Sequence, residues 1–313
     1  MSLREFLVLL MVCTIWGLHF TVMRTVIGEA GVDPLFYAAL RMSLVALLMA
    51  PFLRWHPGQM RYVLLAALGF GALNYAFMFP ALGMTTASAA AVTIELYMPF
   101  SVLLGVLILG ERIRAWSVLG IVLAFAGVVI IGLSEPGEAA GPLFVLGLVL
   151  MALAAASEAG GAIGVKRLTI RPLQILPWAG LVGAVVLWPL ALLLESDPMA
   201  NFEVDRRSAL LGGLFYSAVL ATIVSHGAYY WLLSRLPIQV VAPVGLLNTV
   251  IGVAGGVLIL REPLTPGLLA GITVTLSGVA IILWRSSRKG AGVEAQNTPT
   301  PSDTRPIAAM PDP

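Results

Sequence analysis

Gly105-Val106-Leu107-Ile108-Leu109-Gly110-Glu111 returns 151 residues later as Gly256-Val257-Leu258-Ile259-Leu260-Arg261-Glu262. Extended forward, Gly105–Ile131 and Gly256–Ile282 agree at twelve of 27 positions. Gly120-Ile121 matches Gly271-Ile272, Gly127-Val128 matches Gly278-Val279, and Ile130-Ile131 matches Ile281-Ile282. A constant offset held over so long a stretch marks an internal duplication. Both copies are strongly apolar, and a duplicated apolar bundle is the sequence signature of a membrane transporter. Alternating access is readily built from two related halves around one site.

Composition agrees. Of 313 residues, 59% are hydrophobic and only 11% charged, against about 25% charged in an average soluble domain. Such a chain cannot cover itself with a solvated surface, so it reads as a multi-pass protein of the plasma (inner) membrane. A net charge of +2 gives no reason to expect a nucleic-acid partner. The single cysteine, Cys13, excludes an internal disulfide and a Cys-rich metal site. No cofactor and no metal are expected. The first apolar run is too long for a signal-peptide core and is taken as a retained span.

A bilayer core takes roughly 20 apolar residues per helix. Ten such spans can be drawn, at 6–27, 35–53, 62–83, 87–109, 116–133, 143–165, 175–194, 209–233, 238–260 and 267–284. Turn chemistry separates them, as at Asp33-Pro34, His56-Pro57-Gly58, Glu135-Pro136-Gly137 and Thr265-Pro266-Gly267. With the N-terminus in the cytoplasm, twelve Lys and Arg fall inside, from Arg4 to Lys289, and four outside (Arg24, Arg206, Arg207 and Arg261). That bias places both termini in the cytoplasm. The 5–6 and 7–8 connections carry most of the loop acids, among them Glu135, Glu138, Glu195 and Asp197. Five spans per copy is an odd number, so the second copy must enter the membrane inverted. The expected fold is an all-α integral membrane protein of ten transmembrane helices in two five-helix inverted-topology repeats. Residues 1–139 form the first repeat, 140–286 the second, and 287–313 a disordered cytoplasmic tail.

Trp16-Gly17-Leu18-His19-Phe20 on span 1 resembles the Trp-Gly-x-x-Phe signature of the EamA-like branch of the drug/metabolite transporter superfamily. Arg41 on span 2 matches that family's frequent arginine. Gly110-Glu111-Arg112 and Arg261-Glu262-Pro263 resemble the Gly-Glu turn that closes the fourth span of each of its repeats. The resemblance covers roughly residues 5–286 and implies ten helices in two inverted repeats. It also implies export of small metabolites, commonly amino acids or their relatives, or of amphiphilic drugs. Two positions depart from the family pattern. Leu18-His19 stands where a small polar pair or Asn is usual. Glu158 stands where the second repeat often has a Trp, counting back eight from Lys166 as Trp16 lies eight before Arg24.

Ionisable side chains within spans cost about 2.5–3.5 kcal/mol each on insertion scales, so they face the interior and mark function. Glu95 lies near the middle of span 4, with Glu158 about one turn from the middle of span 6. Glu95 is the leading candidate for a proton-coupling carboxylate or the partner of a substrate amine; the alternative is a static ion pair with Arg41. Arg41, some six residues from the end of span 2, either snorkels outward or receives a substrate carboxylate. His19, His226, Asn74 and Asn248 lie at central depth and either touch substrate or bridge helices. At the 151-residue offset Asn74 pairs with Ser225, Tyr75 with His226, and Tyr97 with Asn248. Trp16, Tyr75 and Tyr97 are candidates to line a pocket for an apolar moiety, with helix packing as the alternative. Pro80, Pro99 and Pro243 interrupt spans 3, 4 and 9 and are candidate gating kinks.

These residues point to a secondary active transporter that exports a small amphiphilic metabolite, such as an amino acid or derivative, by proton exchange with alternating access. The expected partners are that substrate, membrane lipid and protons, with the chain a monomer or homodimer. A passive facilitator or channel and a non-transporting sensor remain as alternatives. The chain is not expected to be an enzyme, since it contains neither His-Glu-x-x-His nor Gly-x-Ser-x-Gly. Nor does it have the Gly-x-x-x-x-Gly-Lys-Ser/Thr phosphate loop of ATP-driven pumps.

Overall fold

The computed structural model describes residues 1–134, 142–241 and 244–297, and among them it contains helices and no strand. Helices α1 (Leu3–Glu29), α2 (Pro34–Phe52), α3 (Met60–Met84), α4 (Ala87–Leu109) and α5 (Ala115–Ser134) are each long and apolar enough to cross a bilayer. So are α6 (Pro142–Val165), α7 (Leu176–Leu194) and α8 (Asp205–Leu233). Helix α9 (Val244–Leu258) is shorter and follows a single helical turn, Ile238–Val241. Helix α10 runs Pro266–Asn297, and its apolar part ends at Trp284. The described residues therefore fit a ten-helix membrane protein. Large apolar side chains sit on its outside, with Leu107, Leu133, Leu193 and Leu258 each at least 78% exposed. Such a surface suits lipid and not water.

The helix ends follow local chemistry. Ser2 and Glu5 form a reciprocal capping box at the start of α1. Thr86 caps α4 by accepting from the Ala89 amide, which turns the short Thr85-Thr86 break into a clean helix boundary. Pro34 and Pro266 open α2 and α10, where a missing amide proton is harmless. Helix α10 continues to Asn297. Arg288, Lys289, Ala291, Glu294 and Ala295 are good helix formers, and they propagate from a helix already nucleated inside the bundle. Residues 298–313 lie outside the described residues, as do Glu135, Glu138 and Pro243.

Close glycine contacts hold the bundle together. Helices α5 and α10 run antiparallel: a Cβ on Gly120 would strike the Gly278 carbonyl, and one on Gly127 would strike the Gly271 carbonyl and Thr275. Each glycine of α5 thus faces the offset counterpart of the other. Helices α1 and α9 meet in the same way, since a Cβ on Gly17 would lie 2.7 Å from the Asn248 carbonyl oxygen. That contact gives the Trp16-Gly17 pair its packing reason. Without a hydrophobic driving force between helices in lipid, such close backbone approach supplies the packing.

Three helices are distorted where polar residues gather. Helix α3 contains a π-helical segment at Leu68–Leu73, and α8 contains another at Phe215–Val224. Leu73 and Val224 are offset counterparts, so the distortion ends at the same point of both copies, directly before Asn74 and Ser225. In α8 the hydroxyls of Thr222 and Ser225 donate to the carbonyls of Ser217 (2.8 Å) and Leu220 (2.9 Å), five residues back. Helix α4 tightens to 3₁₀ form at Ile94–Leu96. Pro99 explains it, because proline has no amide for the Glu95 carbonyl and its ring clashes there.

Between helices, carboxylates satisfy backbone ends. Glu195 accepts from the amides of Leu35 (2.7 Å) and Phe36 (2.8 Å) in the first turn of α2. Burial holds the Glu195 carboxyl above its ordinary pKa, although those two hydrogen bonds pull it down. Beside it, the Asn201 side chain joins the Asp33 backbone and carboxylate.

Candidate functional site

The 3₁₀ turn of α4 presents Glu95 toward α9. The Thr249 hydroxyl donates to Glu95 Oε1 at 2.7 Å, and Gly245, one turn earlier, leaves space for the carboxylate. From α6, Glu158 receives a hydrogen bond from the Asn74 amide at 3.3 Å; the same amide nitrogen reaches the Ala154 carbonyl at 3.1 Å. Both carboxylates keep part of their surface accessible, although each belongs to a membrane-spanning helix. Lys166 and Glu111 form an ion pair at 3.0 Å on the surface. Neither central carboxylate is neutralised by a neighbouring cation.

Arg41 therefore does not pair with Glu95, and it does not snorkel. It is 2% exposed, with Nη2 donating to the Thr222 hydroxyl at 2.9 Å. Its guanidinium carbon lies 4.2 Å from the centre of the Tyr75 ring and 5.6 Å from that of Phe79. Arg41 Nε and Nη1 have no hydrogen-bond partner. The His19 ring also packs on Phe79, at 6.4 Å, and stacks on Tyr216 at 6.4 Å. Its Nδ1 is also unpartnered. The Tyr37 and Ser217 hydroxyls, 2.6 Å apart, join α2 to α8.

The remaining expected residues divide between lining and bridging. Trp16 donates from Nε1 to the Ala221 carbonyl at 2.8 Å and meets His226 edge-on at 5.1 Å. His226 Nδ1 lies 2.9 Å from the Thr222 carbonyl oxygen. The Asn248 amide, oriented to satisfy its neighbours, donates to the carbonyls of Cys13 and Val244 at 3.2 Å each. It bridges α1 to α9 and leaves the approach to Glu95 to Thr249. Tyr75 stacks on Phe79 at 5.4 Å beside Arg41. Pro80 lies inside α3 and Pro99 inside α4. These contacts join Asn74 to Glu158, Arg41 to Tyr75 and Phe79, His19 to Phe79, and Trp16 to His226.

Sequence reasoning missed Thr249, Thr222, Tyr216 and Tyr230. A threonine inside an apolar helix usually bonds its own backbone, so nothing in the chain distinguishes Thr249 from Thr273, which does so. A separate pocket of about 270 Å³ lies between α1 and α8, lined by residues such as Leu18, Thr21, Val22, Ser208 and Gly212. No ionisable residue lines it. Among the described residues no group of three or more His, Cys, Asp or Glu could hold a metal ion.

A ten-helix bundle with ionisable and aromatic groups gathered at membrane depth defines a membrane transport protein. Comparison with known proteins agrees. The EamA-like transporter family model matches residues 3–133 and again 145–284. The chain belongs to the EamA-like transporter family. It is 30% identical over 300 residues to a probable amino-acid metabolite efflux pump of Escherichia coli strain K12, covering 92% of this chain and 99% of that one. A protein of the same description from Salmonella typhimurium is 31% identical over 294 residues, covering 90% and 95%. An uncharacterised transporter from Archaeoglobus fulgidus is 26% identical over 292 residues, covering 90% and 99%. One solved crystal structure superposes with a TM-score of 0.58 at 17% identity, covering 92% of this chain and 99% of that one. It shares the fold.

Proposed function

We propose that this protein is a secondary active transporter that exports a small amphiphilic metabolite, an amino acid or derivative, in exchange for protons. The observation that carries the reading is that Glu95 and Glu158, each on a membrane-spanning helix, are bonded only to neutral groups (Thr249 and Asn74). Carboxylates without a fixed cation at membrane depth are suited to hold a proton or a substrate ammonium in turn. A proton on the carboxyl leaves as the substrate amine takes its place. The two curated relatives described as probable amino-acid metabolite efflux pumps support an amino acid as cargo.

Alternating access between two inverted repeats, in the plasma membrane with both termini cytoplasmic, completes the proposal. Its support is the reciprocal α5–α10 glycine contact and the π segments that end at counterpart positions. The two counterpart turns, Gly110-Glu111 and Arg261-Glu262, add an asymmetry. Glu262 accepts from the Ala87 amide (2.6 Å), the Ser88 amide (2.9 Å) and the Ser88 hydroxyl (2.5 Å) at the start of α4. Its counterpart Glu111 bonds only the exposed Lys166. One side of the bundle is clasped and the other is not, as a two-sided gate requires.

The test is proton flux into proteoliposomes carrying the purified protein, followed with a trapped pH dye across a panel of amino acids and amphiphilic cations. The expected result is a substrate-dependent signal that disappears in Glu95→Gln, with unchanged insertion and melting temperature. Full electrogenic exchange by Glu95→Gln would remove that residue from the coupling step. Uphill flux excludes a passive channel.

A further inference from the structure

We infer that Arg41, with His19 beside it, is the subsite that receives a carboxylate of the transported molecule, so that the cargo is a zwitterion held by Arg41 at one end and by Glu95 and Glu158 at the other. The inference rests on the exporter reading above and adds to it the chemistry of the cargo's second charged group.

A guanidinium offers five N–H donors. In this structure Nη2 uses one on Thr222, while Nε and both N–H groups of Nη1 have no acceptor, although the residue is 2% exposed. Buried cations are normally paired with a carboxylate or fully hydrogen-bonded. The rings of Tyr75 and Phe79 offset part of the desolvation through cation–π attraction. Thr222 accepts from Nη2 alone and passes its own hydroxyl proton to the Ser217 carbonyl.

The second unpartnered donor or acceptor is on the same aromatic group. His19, 8% exposed, has its Nδ1 without a partner and packs on Phe79, the ring that Arg41 also flanks. Three buried nitrogens left open on two residues, around one phenylalanine, are unfilled hydrogen-bond capacity for an acceptor group with at least two oxygens. The guanidinium's planar donor array matches a carboxylate better than any neutral acceptor. Tyr75 follows Asn74 in α3, and Asn74 bonds Glu158. Helix α3 thus carries both the ring beside Arg41 and the amide on Glu158.

The experiment compares each of the twenty amino acids with its methyl ester, which keeps the ammonium and loses the carboxylate, in proteoliposome exchange. Wild type should carry the acid at least about tenfold better than the ester. Arg41→Gln should reduce exchange of the acid by about 10- to 100-fold, the loss of one charge-assisted carboxylate contact. It should leave the ester within about twofold of wild type, and Arg41→Lys should fall between. Esters carried as well as acids by wild type would overturn the subsite and leave the exporter reading standing; so would Arg41→Gln lowering both alike, as ordered water on the guanidinium would give. If Arg41→Gln fails to fold, the wild-type acid-to-ester ratio decides alone. Exchange of neither class would overturn the exporter reading and this inference with it.

Discussion

Glu111 and Glu262 close the same turn of the duplicated sequence, and the structure sets their importance far apart. Gly110 (φ 68°) and Arg261 (φ 56°) are both left-handed, and the amides of Glu111 and Glu262 bond the carbonyls of Gly105 (3.2 Å) and Gly256 (3.1 Å). Past that point they diverge. Glu262 satisfies two first-turn amides and one hydroxyl of α4, and its charge sits at the positive end of a helix dipole. Removing the carboxylate strands those groups at about 1–3 kcal/mol each, with some water relief, so Glu262→Ala should cost about 3–5 kcal/mol. Glu111 and Lys166 have side chains that are 46% and 50% exposed, and a surface bridge is worth about 0–1 kcal/mol. At about 2 °C per kcal/mol for a chain of this size, Glu262→Ala should lower the melting temperature in detergent by about 6–10 °C and Glu111→Ala by less than about 2 °C. Glu262→Gln, which keeps one acceptor oxygen, should fall between. Equal losses from the two alanine variants would refute the asymmetry. In the clasp reading Glu262→Ala should also shift the bundle toward opening on that side, measurable as faster labelling of a cysteine placed at Ser88.

Other expectations are simpler to check. A Cβ at Gly127 meets the Gly271 carbonyl and Thr275, whereas one at Gly160 meets nothing within 4 Å; Gly127→Ala should therefore destabilise by about 1–3 kcal/mol and Gly160→Ala by almost nothing, read as melting temperatures. Thr249→Val keeps the shape and removes the 2.7 Å hydrogen bond to Glu95, so proton-coupled flux should fall by about tenfold while insertion is unchanged; wild-type flux would sink that role for Thr249. Glu195 has a folded-state pKa above its ordinary value, so its contribution to stability is full below about pH 4 and is lost as pH rises through the folded pKa. Melting temperature from about pH 4 to pH 6 should accordingly decline less in Glu195→Gln than in wild type.

Much of this architecture was legible in the chain. Apolar runs of bilayer length separated by Pro and Gly turns are nearly sufficient for ten helices, because a backbone in lipid has no other way to satisfy its hydrogen bonds. The 151-residue offset and the depth of Glu95 and Glu158 are equally plain, since charge inside an apolar run is conspicuous. Polar contacts between helices were not legible. Whether Arg41 met Glu95 or Thr222 depends on helix rotation, and a π segment in α8 turns Thr222 by an amount no periodicity encodes. Asn248 looked like a site residue and bridges backbone carbonyls, while Thr249, one position on, faces the carboxylate.

By itself, then, the sequence determined the membrane as solvent, the number of helices, the duplication and the few costly charges within spans, because each is a property of composition and order along one chain. Only the tertiary structure decided which neutral groups those charges meet, which donors stay unpaired, and which of the two counterpart turns, Gly110-Glu111 or Arg261-Glu262, grips a helix. Those depend on helix rotation and close backbone approach, where a single residue of register exchanges one side chain for its neighbour.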